Sequence, residues 1–93
     1  MTIAPDTQLF DAARQAHLAV TVSAQIPEGA IAEGLAAIQN DNPTVSIGSY
    51  PFYSDSGPGA QLVARGRDAG AVERAAAAIE AMVRERGVTP KRV

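Results

Sequence analysis

The chain has 93 residues, a net charge of −2, no cysteine and no tryptophan. A chain of this length forms one domain with a modest core, and without cysteine it has no disulfide scaffold, thiolate metal site or cysteine nucleophile. No apolar run exceeds five residues and no signal-peptide pattern begins the chain, so we expect a cytoplasmic protein without a membrane partner.

The first part of the chain predicts one strand. Residues 1–16 are typical of a short amphipathic helix or, equally, of a flexible arm. From His17 to Ala24 apolar and polar residues alternate with a period of two, which predicts a half-buried strand. The residues expected to face the core are Leu18, Val20, Val22 and Ala24.

A helix is predicted next. Pro27 suits its first turn, where a backbone N–H is not needed, and Glu28 suits the positive end of the helix dipole. The expected buried stripe is Ile31, Leu35 and Ile38. The sequence Asn-Asp-Asn-Pro ends the helix near residue 40, and Gly34 is expected to permit close approach to the sheet.

Two strands are predicted after this helix. The first spans Thr44–Tyr50 and is expected to end at Pro51, because proline cannot donate a hydrogen bond to a sheet. Residues 54–59 are predicted to form a loop, and residues 60–65 the next strand. The residues expected to face the core are Val45, Ile47, Leu62 and Ala64.

A long final helix is predicted over Ala69–Arg86, with Asp68 as its N-cap. Its expected buried stripe is Val72, Ala75, Ala76, Ile79, Met82 and Val83. Glu80 and Arg84 are spaced for an ion pair within the helix. Residues 88–93 form a tail with room for a strand of two or three residues at most, at Val88-Thr89.

The predicted order β-α-β-β-α over residues 17–87 is that of a ferredoxin-like α+β sandwich, with two helices on one face of a small antiparallel sheet. We expect the strand order first–third–second, with the fourth strand of the fold missing or vestigial. The first strand would then be an uncovered edge. We therefore predict self-association or docking along that edge, at Leu18, Val20 and Val22.

Few residues indicate chemistry. His17, the single histidine, is better explained as a solvated or capping residue than as a catalytic base, and one histidine without cysteine predicts no metal site. The segment from Arg65 to Asp68 is explained as a strand-to-helix turn, with an anion site at Arg65 and Arg67 as the alternative. We expect no catalytic residue, no metal and no cofactor.

Three aromatic residues, Tyr50, Phe52 and Tyr53, lie close together in the sequence. They either fold back over the open end of the core or form a docking patch for another domain or subunit. Single-strand RNA readers of this fold class carry stacking aromatics on their two central strands. The corresponding outward positions here have none, and the net charge is negative, so we expect no nucleic-acid partner.

Four segments together resemble one particular small domain. It is the domain that follows the molybdopterin-binding (MoaB/Mog-like) domain in CinA-type competence/damage-inducible proteins and in FAD synthase-like relatives. The resemblance covers about Leu18 to Arg86. The segments are Ile26-Pro-Glu-Gly, Ile31-Ala-x-x-Leu35, Asn42-Pro-x-Val45-x-Ile47-Gly-Ser-Tyr-Pro51 and Leu62-Val-x-Arg65-Gly-Arg-Asp68.

The resemblance implies an accessory module that is not an enzyme on its own, because the Gly-rich signature of the family's catalytic domain does not occur in this sequence. It implies docking on a molybdopterin-binding-type domain or on a second copy, as a homo-oligomer. The alternative is a regulatory domain that binds a nucleotide or a pterin.

Overall fold

A computed structural model describes residues 18–93 and shows a four-stranded antiparallel sheet with two helices on one face. The predicted N-terminal helix or arm and His17 lie outside the described residues. The sheet order is β2-β3-β1-β4, which confirms the predicted α+β, ferredoxin-like class. The elements are β1 (Leu18–Ala24), a 3₁₀ turn (Glu28–Ala30), α1 (Ala32–Asp41), β2 (Ser46–Ser54), β3 (Gly57–Gly66), α2 (Ala69–Glu85) and β4 (Lys91–Arg92).

The core lies between the helices and the face of the sheet that they cover, called the inner face below. The antiparallel register of β1 and β3 places Val22 opposite Leu62 and Ala24 opposite Ala60, and all four are buried. The helix stripes predicted from the sequence are buried against this face, as the period of 3.6 residues requires. Asp68 caps α2 as predicted, because its Oδ2 accepts a hydrogen bond from Ala71 N at 3.0 Å.

Gly34 lies where the two helices meet. A Cβ atom at this position would overlap the Sδ atom of Met82 in α2. The predicted close approach is therefore present, but it is to the other helix and not to the sheet. Within residues 18–93, neither helix has the length and hydropathy of a membrane-crossing segment.

The β1 edge was predicted to be uncovered, and this is corrected for its second half, where the two-residue strand β4 pairs with it. Ser23 pairs with Lys91, Val22 pairs with Arg92, and Val93 N donates to Thr21 O at 3.1 Å. The short strand lies three residues beyond the position predicted for it. Lysine and arginine have little preference for strands, so their pairing is supported by side-chain contacts with α2 that no local pattern reveals.

The prediction that Pro51 ends the second strand is wrong, since β2 continues through it to Ser54. Within the described sheet β2 is an outermost strand, and its free edge tolerates proline. The Gln39 side chain from α1 shows which groups face that edge: it accepts from Ile47 N at 3.0 Å and donates to Val45 O. Alternate residues share this direction, so the N–H that Pro51 does not have would also point to the free edge.

The loop predicted over residues 54–59 shrinks to the two residues Asp55 and Ser56, because Ser54 already pairs with Gly57. Gly57 has a φ of +104°, a conformation that glycine adopts without strain. Gln25, just after β1, donates from Nε2 to Gly57 O at 2.8 Å and to Pro58 O at 3.1 Å. A side chain from outside the hairpin therefore holds the start of β3.

Candidate functional site

Two of the three clustered aromatic residues lie together on the outer face of the sheet, the face away from the helices. Tyr50 is 54% exposed, and its ring lies beside Gly48. The Phe52 ring is half-buried and lies over Gly59, its partner on β3. We call Tyr50 and Phe52 the aromatic patch.

Tyr53 does not belong to this patch. It follows Phe52 directly, so the alternation of a strand directs its side chain to the opposite face of the sheet. There it is 81% exposed. The sheet thus brings Tyr50 and Phe52 together and separates Tyr53 from them.

The three β1 residues predicted at an interaction surface all face the helices. Val22 is fully buried, Val20 is half-buried against the core, and Leu18 is 39% exposed. Their side chains therefore contribute mainly to the core, and Leu18 has the greatest access to solvent of the three.

A surface cleft of about 590 Å³ lies between the end of β3 and the start of α2. Both arginines predicted as the alternative anion site, Arg65 and Arg67, line it. The sequence did not predict that Thr44 and Ser46 join these arginines, because that follows only from the pairing of β2 with β3. The full lining is Thr44, Ser46, Arg65, Gly66, Arg67 and Asp68. We call this the arginine cleft.

The strand register and the helix cap position the groups of the arginine cleft. Ser46 is the direct partner of Arg65 across β2 and β3. A Cβ atom at Gly66 would lie 3.2 Å from Val72 Cγ2 and 3.3 Å from Thr44 O, so this residue packs tightly against both. Because Asp68 is the cap of α2, one oxygen of its carboxylate is already bonded within the protein.

The two guanidinium groups in the cleft are not neutralised by the described part of the chain. Across residues 18–93, neither Arg65 nor Arg67 forms an ion pair or a side-chain hydrogen bond. Arg86, by contrast, donates to Ala30 O at 2.9 Å, and Arg92 is paired with carboxylates. The cleft therefore combines an open volume with positive charge.

A second charged cluster lies at the β4 edge of the sheet, and its charged groups pair with one another. Arg92 of β4 bonds to Glu73 at 2.7 and 2.9 Å and to Glu80 at 2.9 and 3.1 Å. The hydrogen bonds that Arg92 donates lower the pKa of both carboxyl groups, and the same bonds, accepted by Glu73 and Glu80, raise the pKa of Arg92.

This cluster corrects the ion pair predicted within α2. Glu80 pairs with Arg92, whereas Arg84 acts on it only through its charge. The spacing of Glu73 and Glu80, seven residues apart, does place both on one helix face, but nothing in the sequence links that face to Arg92. In the described residues no three acidic or histidine side chains lie close enough together to hold a metal ion.

Comparison with protein-family models matches residues 16–92 to the model described as FAD synthase, middle domain. The matched range takes in every strand and helix described above. A comparison with curated proteins finds no match, and neither does one with solved structures. The FAD synthase-like part of the resemblance inferred from the sequence is thus confirmed, while its CinA and molybdopterin-binding parts stay predictions.

Proposed function

The chain belongs to the family of the FAD synthase middle domain, and we propose on that basis that it is a non-catalytic accessory module that docks on another domain of an FAD synthase-like protein. The observation that carries the proposal is the match over residues 16–92, which spans both helices and the whole described sheet. A domain described as the middle one has neighbours in its parent protein, and these are the natural partners for its exposed surfaces.

The aromatic patch supports a docking role for the outer face of the sheet. No helix or strand from residues 18–93 covers that face, because both helices pack on the other one. Tyr50 is more than half exposed there, and tyrosine and phenylalanine are enriched at protein interfaces. An aromatic side chain that becomes buried in a contact is also a frequent source of binding energy.

The partner we propose is a domain of the molybdopterin-binding type, as the sequence resemblance implies. Docking on a second copy of this chain is the competing outcome. The two are distinguished by the mass of the complexes, since self-association raises the mass of the chain alone, whereas docking raises it only when the partner domain is added.

The test is a calorimetric titration of this chain with a molybdopterin-binding-type domain of an FAD synthase-like protein. We expect Tyr50→Ser to weaken binding about tenfold or more, the loss typical of a buried interface tyrosine. Glu33→Ala, an exposed position on α1, is the control and should bind as the unaltered chain does.

Two results would contradict the proposal. One is the absence of measurable heat at high concentration, whichever of the two domains is injected into the other. The other is equal binding by the Tyr50→Ser and Glu33→Ala variants, which would show that the outer face takes no part. Tyr50 lies outside the core, so we expect both variants to fold. Far-ultraviolet circular dichroism of each variant checks this.

A further inference from the structure

We propose that the arginine cleft is a binding site for the phosphate group of a small phosphomonoester. The cleft shares no residue with the aromatic patch, although Ser46 and Tyr50 lie on the same face of β2, and the proposal does not depend on the docking role. Its volume of about 590 Å³ is enough for a compact ligand, since small-molecule sites span roughly 300–1,000 Å³. Four observations give the ligand its chemical class.

The first is the unneutralised charge. Arg65 and Arg67 are separated by one residue, both line the cleft, and neither is paired within residues 18–93. A guanidinium group presents a planar set of N–H donors that matches the oxygens of a phosphate in a bidentate contact. Two such groups leave the cleft with a net positive charge even when the charge of Asp68 is counted.

The second is the presence of two residues with hydroxyl groups, Thr44 and Ser46, in the lining of the same cleft. Ser46 lies directly opposite Arg65 in the antiparallel register. Directly opposed residues have Cβ atoms about 4.5–5.5 Å apart, so a hydroxyl and a guanidinium start from neighbouring points on the sheet. Both can donate hydrogen bonds to one phosphate group.

The third is Gly66, which lies between the two arginines. A Cβ atom there would crowd Val72 and Thr44 O, so the turn packs tightly at this glycine, with an arginine on either side of it. The attraction for an anion then depends on side chains and not on the start of α2, where the Asp68 carboxylate already accepts from Ala71 N.

The fourth is Asp68, which also lines the cleft and adds a negative charge beside the two arginines. A carboxylate lowers the affinity of the cleft for every anion, and more for a polyanion than for a single phosphate, but it accepts a hydrogen bond from a ligand hydroxyl. Together with the net charge of −2, this favours a small phosphomonoester that carries hydroxyl groups over a nucleic acid.

The experiment is a titration of the ¹⁵N-labelled chain with glycerol 3-phosphate, with inorganic phosphate and glycerol as the comparison ligands. We expect amide shifts centred on Ser46, Gly66 and Arg67 with both phosphate compounds and none with glycerol. Arg65→Gln and Arg67→Gln should each weaken binding about tenfold, the usual cost of one charged hydrogen-bonding partner. Arg84→Gln, an exposed arginine near the far end of α2, should bind normally.

The proposal is overturned if no cleft amide shifts at millimolar phosphate concentrations, or if Arg84→Gln weakens binding as much as the two cleft variants do. Retention of full affinity by the Arg65→Gln/Arg67→Gln double variant would also overturn it. Arg65 and Arg67 are exposed, so loss of the fold does not explain a loss of binding. Tyr50→Ser should bind glycerol 3-phosphate unchanged, which separates this site from the docking surface.

Discussion

The guanidinium group of Arg92 donates two hydrogen bonds, of 2.7 and 2.9 Å, to the carboxylate of Glu73. Its Nε and Nη2 atoms also bond to Glu80, one full heptad further along α2. A strand of only two residues gains little from its own backbone pairing. The contacts of Arg92 with α2 therefore account for the position of β4 on the β1 edge.

Arg92→Met should release β4 while leaving the rest of the sheet folded. The variant keeps a long apolar side chain but loses all four hydrogen bonds to α2. We expect the amide of Val93, which donates to Thr21 O, to exchange with solvent about tenfold faster or more, because local opening becomes easier. Hydrogen exchange followed by nuclear magnetic resonance measures this rate.

Arg84→Met is the matched control for this experiment. It removes an arginine of α2 that forms no ion pair in the described chain. Its Val93 exchange rate should equal that of the unaltered protein. If the two variants exchange at the same rate, the Arg92 contacts do not hold β4.

The free energy of unfolding should depend on pH through Glu73 and Glu80. Hydrogen bonds from Arg92 lower both pKa values below the ordinary value of 4.5. A carboxylate with a lowered pKa in the folded state stabilises the fold above its unfolded pKa, and this contribution disappears as the pH falls through the folded value. Stability should thus decrease on acidification below about pH 4.5.

Urea titrations at about pH 7 and about pH 3 test this dependence, with Glu80→Gln as the variant. Glu80 is the less exposed of the two carboxylates, with a side chain 16% accessible, so its pair is less screened than that of Glu73. The variant should lose less stability between the two pH values than the unaltered chain does. A Glu33→Gln control should keep the original difference.

Gly59→Ala should destabilise the β2–β3 hairpin. A Cβ atom there would overlap the Phe52 ring and lie 3.0 Å from Ala24 O, so the ring or the backbone must move. We expect a loss of about 1–3 kcal/mol in the free energy of unfolding, as for other substitutions that overpack a site. Urea unfolding followed by circular dichroism measures it.

Gly29→Ala provides the comparison for Gly59→Ala. It adds the same methyl group where no atom lies within 4 Å. Its effect should be within about 0.5 kcal/mol of zero. Equal effects at the two glycines would show that contact with Phe52 is not the reason for a glycine at position 59.

Pro51→Val should increase association through the free edge of β2. The substitution restores an N–H that points away from β3, toward the edge that Gln39 covers only at Val45 and Ile47. Unpaired donors on an outermost strand promote pairing with another chain. Sedimentation velocity should show a larger dimer fraction than for the unaltered chain, whereas Pro43→Val, outside the strand, should show no increase.

Much of the fold follows from patterns within single segments. The alternation around Val22 and the stripe through Ile79 predict which residues are buried, because each pattern reports one face of one element. Asp68 is predictable as a cap for the same reason. These signals need no knowledge of what the segment packs against.

The errors occur where one segment depends on another. Pro51 fits inside a strand because that strand is outermost, and β4 lies where Arg92 meets Glu73 and Glu80 of α2. The arginine cleft shows the same limit. Arg65 and Arg67 are visible as neighbours in the sequence, but Ser46 joins them only through the register of β2 and β3.

Both lateral margins of the sheet are covered over part of their length, by side chains as much as by strands. At the β2 margin Gln39 forms hydrogen bonds with Val45 O and Ile47 N, and Pro51 has no N–H to offer. At the other margin β4 pairs with β1, and its Arg92 contacts Glu80 of α2. This partial cover reduces the length of backbone that is available for pairing with a strand of another folded unit. Contacts through the faces of the sheet use side chains, which can be specific for one partner, whereas the backbone at an edge pairs with any strand.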